Sequence, residues 1–336
     1  MATPKTLQEA IVYFSDYENC RKFLVSVLYL DGVVRCPHCK SEKVTYLAKA
    51  RVYRCYGDHP KQKFSLKVGT IFEESAIGLE KWLPAVWLIT TCKNGISSYE
   101  LGRTLGVTQK SAWFMNHRIR LAMKSESFHK AGGPGAEVEV DEAYIGGKVK
   151  NMHKSRRLRL AQERSNVRNE DATISERYWG KTPLVGILDR EQRKIRVSVV
   201  PNVRRKVLQA KILEQVEKGS KLYTDSAVAY DKTAIANNYA HEIVNHMEQY
   251  VRGRVHTNGL ENFWSLLKRG LNGTYVAVEP FHLDRYVDEQ VFRYNNRATK
   301  DNPLTDADRF HLAMTQIVGK RLTYSELTGK GWQSPF

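Results

Sequence analysis

No stretch of this chain stays apolar for long. The best runs, Phe23–Leu30 and Trp82–Thr91, fall well short of the ~18 residues that a membrane span needs. The N-terminus, MATPKTLQEA, lacks the basic-then-apolar form of an export signal. The chain therefore reads as cytoplasmic and nucleoid-associated, with no membrane partner. Acidic residues are in deficit, 36 Asp and Glu against 53 Lys and Arg, for a formal net charge of +17. Such an imbalance calls for a polyanion, and with the membrane set aside that polyanion is nucleic acid. Cysteine is sparse and odd in number: Cys20, Cys36, Cys39, Cys55 and Cys92. An odd count without an export signal argues against a disulfide framework. No internal repeat is present, and 336 residues leave room for two or three domains.

Residues 8–30 carry apolar positions at Ile11, Phe14, Phe23, Leu24, Val27 and Leu28 and read as one helix. A cysteine-bearing strand-and-turn segment follows to about residue 72. Leu79–Lys93 reads as a buried helix, with Pro84 tolerable only in its first turn. Ile96–Met123 reads as two helices around a tight turn. The segment AGGPGA then marks a linker, and the main domain boundary falls there. Beyond it Val138 and Val140 alternate with Glu139 and Asp141, the period of a strand. Further strands are expected at Pro183–Leu188, Lys194–Val200, Leu222–Asp225 and His241–Val244. Helices are expected at Val207–Val216, Ala227–Ala236, Asn258–Leu271 and Phe281–Asn296. That order predicts a mixed sheet with helices on its faces.

Three cysteines cluster. CPHC spans Cys36–Cys39, Cys55 follows after fifteen intervening residues, and CYGDH brings His59. Two donor pairs on facing turns suit a four-ligand structural zinc ion. A ribbon's fourth cysteine usually stands at position 58, here Asp58; His59 is the better zinc donor. His38 reads as a neighbour of the site rather than a ligand, and Cys20 and Cys92 as inert core thiols.

The stretch ISSYELGRTLGVTQKSAWFMNHRIRLAM has the form of a helix-turn-helix. Ser97 or Ser98 can cap its first helix, Gly106 permits the turn and Thr108 caps the second helix. Gln109, Lys110, Trp113, His117 and Arg118 are then expected to project outward toward a DNA groove, with Ala112, Met115, Ile119 and Met123 facing inward. A second basic element, Lys148–Arg168, includes Lys154, Arg156 and Arg157. It reads either as a solvated face or as a phosphate-binding arm that orders on DNA.

Three acidic residues stand apart. Asp141 lies in AEVEVDEAYIGGK, Asp225 ends the strand LYTD, and Glu261 sits in HTNGLENFWSLLKRG. The first two follow strand-like runs. The third lies on a helix whose other residues, Leu260, Phe263, Trp264 and Leu267, give it a broad apolar face. Asn258, Glu261 and Ser265 share one face of that helix. Singly, Asp225 could cap a helix and Glu261 could pair with a neighbouring base; together they suit two divalent ions and phosphodiester chemistry. His256, Lys268 and Arg269 lie near enough in sequence to meet DNA phosphates, although a capping or core role is the plainer reading of His256.

These segments, with KVGTIFEESAIGLEKW and HLDRYVDEQVFRYNNR, resemble the DDE transposases of the ISXO2-like insertion-sequence family, bacterial relatives of the Merlin elements. The resemblance runs from about residue 15 to 325. It implies an α/β (α+β) multidomain chain: an N-terminal helix and zinc ribbon (1–75), a helix-turn-helix region (76–130), an RNase H-like catalytic domain (131–300, with a basic insertion at 148–182) and a helical tail (301–336). It implies Asp141, Asp225 and Glu261 as the catalytic triad holding two Mg²⁺ or Mn²⁺ ions, with Asn258 a lesser candidate for the third position. It implies zinc on Cys36, Cys39 and Cys55, binding of terminal inverted repeats on double-stranded DNA, and a homodimer or higher oligomer on that DNA. Two other functions share parts of this picture: an RNase H-like nuclease that cuts without joining, and a transposase-derived DNA-binding regulator without chemistry.

Overall fold

A computed structural model describes residues 4–124, 129–147, 151–165, 180–225, 238–244, 256–300 and 302–329. It divides into two units: Met1–Ser125 with Asn296–Phe336, and Glu126–Asn295.

In the first unit, residues 8–30 form two helices rather than one, α1 (Leu7–Phe14) and α2 (Tyr17–Leu28). The break lies at Asp16, whose side chain accepts from the Glu18 N–H at 2.8 Å and so starts a new helix. Strands β1 (Val44–Leu47), β2 (Val52–Cys55) and β3 (Lys63–Phe64) then make an antiparallel sheet in that order. Helix α3 (Leu79–Thr91) is buried almost throughout. Pro84 is its sixth residue, beyond the first turn to which the sequence rule confines it. The helix forgoes one backbone bond there, and burial of Trp82, Leu83, Val86, Trp87 and Ile89 compensates.

Helices α4 (Ser98–Leu105) and α5 (Gln109–Met123) are the expected pair. Ser97 and Thr108 cap them, and Gly106 turns the chain at φ 60°, a left-handed conformation that glycine adopts without steric cost. Late in the chain come α10 (Asp306–Thr315) and α11 (Tyr324–Leu327). Phe310 of α10 packs against Phe14, Phe23 and Trp87, with ring centroids 5.0–5.6 Å apart. The tail, the ribbon and the helix-turn-helix, three separate segments by sequence, therefore form one compact unit. Each is too small to bury its own apolar face.

The second unit is built on β4 (Glu137–Ile145), β5 (Thr182–Asp189), β6 (Lys194–Val199), β7 (Lys221–Asp225) and β8 (Ala240–Val244). The order across the sheet is β6-β5-β4-β7-β8. The first three form an antiparallel meander, and β7 and β8 join parallel to β4. Val138 and Val140 point to one face, where Leu208 and Ile212 of α7 (Arg205–Gln215) cover them. The other face is covered by α8 (Asn258–Gly270) and α9 (Leu283–Asn295), through Leu260, Phe263, Trp264, Leu283 and Val287. The expected mixed sheet with helices on both faces is thus present. The basic segment contributes α6 (Lys154–Ser165). The helix expected at Ala227–Ala236 lies outside the described residues. Among the described residues no helix is long and apolar enough to cross a membrane.

Candidate metal centres and active site

Cys36, Cys39, Cys55 and His59 converge, with their donor atoms all within 4.8 Å of one another. The Cys36 sulfur lies 3.3 Å from His59 Nε2, and the Cys39 and Cys55 sulfurs lie 3.5 Å apart. These spacings approach the edges of a tetrahedron with metal–sulfur bonds of about 2.3 Å and metal–nitrogen bonds of about 2.0 Å. Asp58 is exposed and does not belong to the group, so the residue one place later supplies the fourth donor. His38 stays outside it too, its ring 5.5 Å from that of His59.

Burial raises the Cys36 thiol, but N–H groups of Cys39 and His38 and the adjoining thiols outweigh it and lower it overall. At Cys55 the Gly57 N–H pulls the thiol down, while burial and the two other sulfurs prevail and raise it. Thiols this close resist joint ionisation, a conflict that a shared cation removes. Gly57 belongs to the site as well: a Cβ there would meet the Cys39 sulfur at 2.9 Å and the Cys55 sulfur at 3.3 Å.

The carboxylates occupy the second unit. Asp141 is not at the end of β4, which runs on to Ile145 because β5 pairs with it throughout. It does lie beyond the last pair that β4 makes with β7, Glu139 with Tyr223. Continuing that register by two residues sets position 225, the last of β7, level with Asp141. Asp225 is described through its backbone alone. Helix α8 lies against β4 on the Asp141 face. The Trp264 indole N–H donates to Asp141 Oδ2 at 2.9 Å, and the Glu142 N–H donates to Oδ1 at 2.8 Å. Glu261 is exposed, one turn before Trp264 and about 60° round the helix from it. Asn258, Ser265, Lys268 and Arg269 share its exposed side of α8.

Close approach of α8 to the sheet depends on two glycines. Gly186 pairs with Asp141 across β4 and β5, and a Cβ on it would meet Leu260 Cδ2 and Trp264 Cζ2 at 2.7 Å. A Cβ on Gly259 would meet Leu188 Cδ2 at 2.3 Å and Glu139 Oε2 at 2.9 Å. Behind Asp141, Glu139 is only 1% exposed. It accepts from Arg190 Nε at 2.7 Å and from the Leu260 N–H at 3.1 Å. Arg190 also reaches Glu137 at 3.2 Å and the His256 ring at 2.8 Å, and its guanidinium lies over the Tyr223 ring. His256 is thus tied into this buried network. Strand alternation places Glu139 on the Asp141 face but assigns it no partner. The sequence gives no sign of Arg190, Gly186 or Gly259, and it shows Trp264 only as apolar surface.

The expected DNA-contacting residues divide. Gln109 and Lys110 are exposed at the start of α5. His117 and Arg118 are not: they are 0% and 4% exposed. Arg118 donates to the carbonyls of Ile71, Glu73 and Leu322, at 2.6–3.1 Å. The expectation that both project outward is corrected. The whole stretch Met115–Arg120 is buried, because the late chain segment packs over the second half of α5. Lys154, Arg156 and Arg157 on α6 are exposed.

An ISXO2-like transposase domain matches residues 131–295. The chain is 27% identical over 267 residues to an uncharacterized protein in transposable element ISH50 of Halobacterium salinarum, covering 77% of this chain and 84% of that one. It is 32% identical over 107 residues to an uncharacterized transposase-like protein of Haemophilus influenzae, covering 32% of this chain and 85% of the relative. A chain in the structure of a simian T-cell lymphotropic virus intasome with PP2A regulatory subunit B56 gamma aligns at 12% identity and a TM-score of 0.31, covering 67% of this chain and 74% of that one. A likeness that slight carries no functional weight. By its domain match and its transposon-encoded relatives, the chain belongs to the ISXO2-like transposase family.

Proposed function

We propose that this protein is the DNA transposase of an insertion sequence. In this reading it binds the element's terminal inverted repeats and catalyses divalent-metal-dependent DNA cleavage and strand transfer. The observation that supports the reading is that Asp141 lies on β4, that its parallel neighbour β7 ends at position 225, and that Trp264, on the same helix as Glu261, donates to Asp141. The meander followed by parallel strands, with helices on both faces, supports an RNase H-like sheet.

Three carboxylates of this kind offer hard oxygen donors, which Mg²⁺ and Mn²⁺ prefer. Asp141, Asp225 and Glu261 would hold the ions between them. Two such ions, when bound, activate the attacking water or 3′-hydroxyl and offset charge on the leaving oxygen. Lys268 and Arg269 continue the exposed side of α8 past Glu261 and can hold the DNA backbone. Cys36, Cys39, Cys55 and His59 fit a structural zinc ion in donor type and spacing. The exposed Gln109 and Lys110 and the basic face of α6 supply DNA contacts. Joining two element ends requires at least a dimer in the active complex.

The test is strand transfer with Mg²⁺, using precut 3′-hydroxyl element ends and a target plasmid, run beside Asp141→Asn. Joined products from the wild type and none from the variant support transposition. Hydrolysis without joining would instead make the protein a nuclease, and biological effects that survive Asp141→Asn would make it a regulator.

A further inference from the structure

Glu139 and Arg190 form a buried ion pair that the chemistry above does not use. Both Glu139 oxygens are engaged, one by Arg190 and one by the Leu260 N–H in the first turn of α8. Four residues further along α8, Trp264 donates to Asp141, two residues further along β4. Four helical residues advance about 6 Å and two strand residues about 6.6 Å, so the paired contacts run in step. Helix and strand are therefore fastened at two points one turn apart. Glu261 lies between those points on the helix. Gly259 and Gly186 let the two backbones come close enough for both bonds.

We propose that Glu139, Arg190 and Trp264 are positioning residues, a two-point latch that sets the Glu261 carboxylate at its working distance from Asp141. The inference rests on the proposed active site. Metal ligands must be held to fractions of an ångström, and a single fastening would leave α8 free to pivot about it. A buried carboxylate bonded to an N–H in a helix's first turn resists that pivot, because breaking the bond strands a charge away from water. The Trp264 bond fixes the second point and also orients the Asp141 carboxylate. Neither contact needs to touch DNA.

The experiment is Mn²⁺ titration of the full-length protein, followed by electron paramagnetic resonance. Residues that support metal ligands typically change affinity about 10- to 100-fold. Trp264→Phe keeps the ring and removes the N–H. Glu139→Gln keeps the shape and removes the charge. The double variant E139Q/R190Q leaves no lone buried charge and guards against misfolding of the single one. Each variant that retains the wild-type circular dichroism spectrum is expected to weaken Mn²⁺ binding at least about tenfold. Ile212→Ala, in the core on the opposite face of the sheet, should lower thermal stability and leave Mn²⁺ binding unchanged. Folded latch variants with wild-type affinity, or an Ile212→Ala loss as large as theirs, would overturn the latch. Asp141→Asn separates the two levels. If it binds Mn²⁺ like the wild type, the active-site reading falls and takes the latch with it. If it loses Mn²⁺ while the latch variants keep theirs, only the latch is wrong.

Discussion

The sulfur-rich group and the proposed carboxylate site are assembled in opposite ways. The sulfur-rich group draws its donors from 24 consecutive residues, Cys36 to His59, and fixes them with turns around a three-stranded sheet. The proposed metal carboxylates come from residues 141, 225 and 261, carried on two parallel strands and a helix far apart in sequence. The first site has four soft donors facing each other and no open position, the form of a structural site. The second, as proposed, includes an exposed carboxylate, Glu261, and a half-buried one, Asp141, as a site that must admit a substrate would. Local assembly sets a site within one short segment, whereas the geometry of a long-range site depends on the whole fold.

The largest effect is expected at the proposed catalytic acids. Asp141→Asn, Asp225→Asn and Glu261→Gln should each reduce Mg²⁺-dependent cleavage and joining to background while leaving the fold and the sulfur site intact. Gel assays of DNA products and zinc content measured on the same samples check both halves. Next comes metal removal from the first site. Structural zinc contributes about 10–16 kcal/mol in small zinc-dependent folds. A chelator should therefore melt the ribbon while the melting of the sheet unit stays in place, as hydrogen exchange would report. His59→Ala should lose zinc where Asp58→Asn keeps it, and the reverse pattern would move the fourth ligand back to position 58.

Smaller effects probe the surroundings of each site. Arg118→Gln should destabilise the first unit by about 2–4 kcal/mol in denaturant, since three carbonyls lose a buried cationic donor. A stable variant with weak DNA binding would restore the outward-facing role. Gly186→Ala forces α8 off the sheet and should cost about 1–3 kcal/mol through overpacking. Smallest is the basic helix α6. Neutralising Lys154, Arg156 and Arg157 should make the dependence of log affinity on log salt shallower, by about 0.9 for each DNA phosphate that the helix no longer neutralises. An unchanged slope would show that α6 is a solvated face.

Much of this is legible in one dimension because the signals are short. The Cys-x-x-Cys spacing, the caps at Ser97 and Thr108, Gly106 at the turn, and the alternation of Val138 and Val140 with Glu139 and Asp141 all act within a few residues. Two local signals mislead. The apolar pattern over residues 8–30 runs on across the cap at Asp16 and so hides the break between α1 and α2. Proline chemistry alone confines Pro84 to a first turn, yet α3 carries it deeper because burial on every side offsets one lost bond.

The amino-acid sequence by itself determined which cysteines and histidine group together, where most of the helices and strands run, and which side of β4 carries acids. These follow from donor chemistry and from the repeat lengths of the backbone. Only the tertiary structure decided which faces are covered. His117 and Arg118 lie on a helix whose outer side is closed by chain about two hundred residues away, and no periodicity encodes that partner. The same holds for Arg190 on Glu139 and for the glycines beneath α8. Their roles arise from close approach between elements far apart in sequence, and such proximity exists only once the chain has packed.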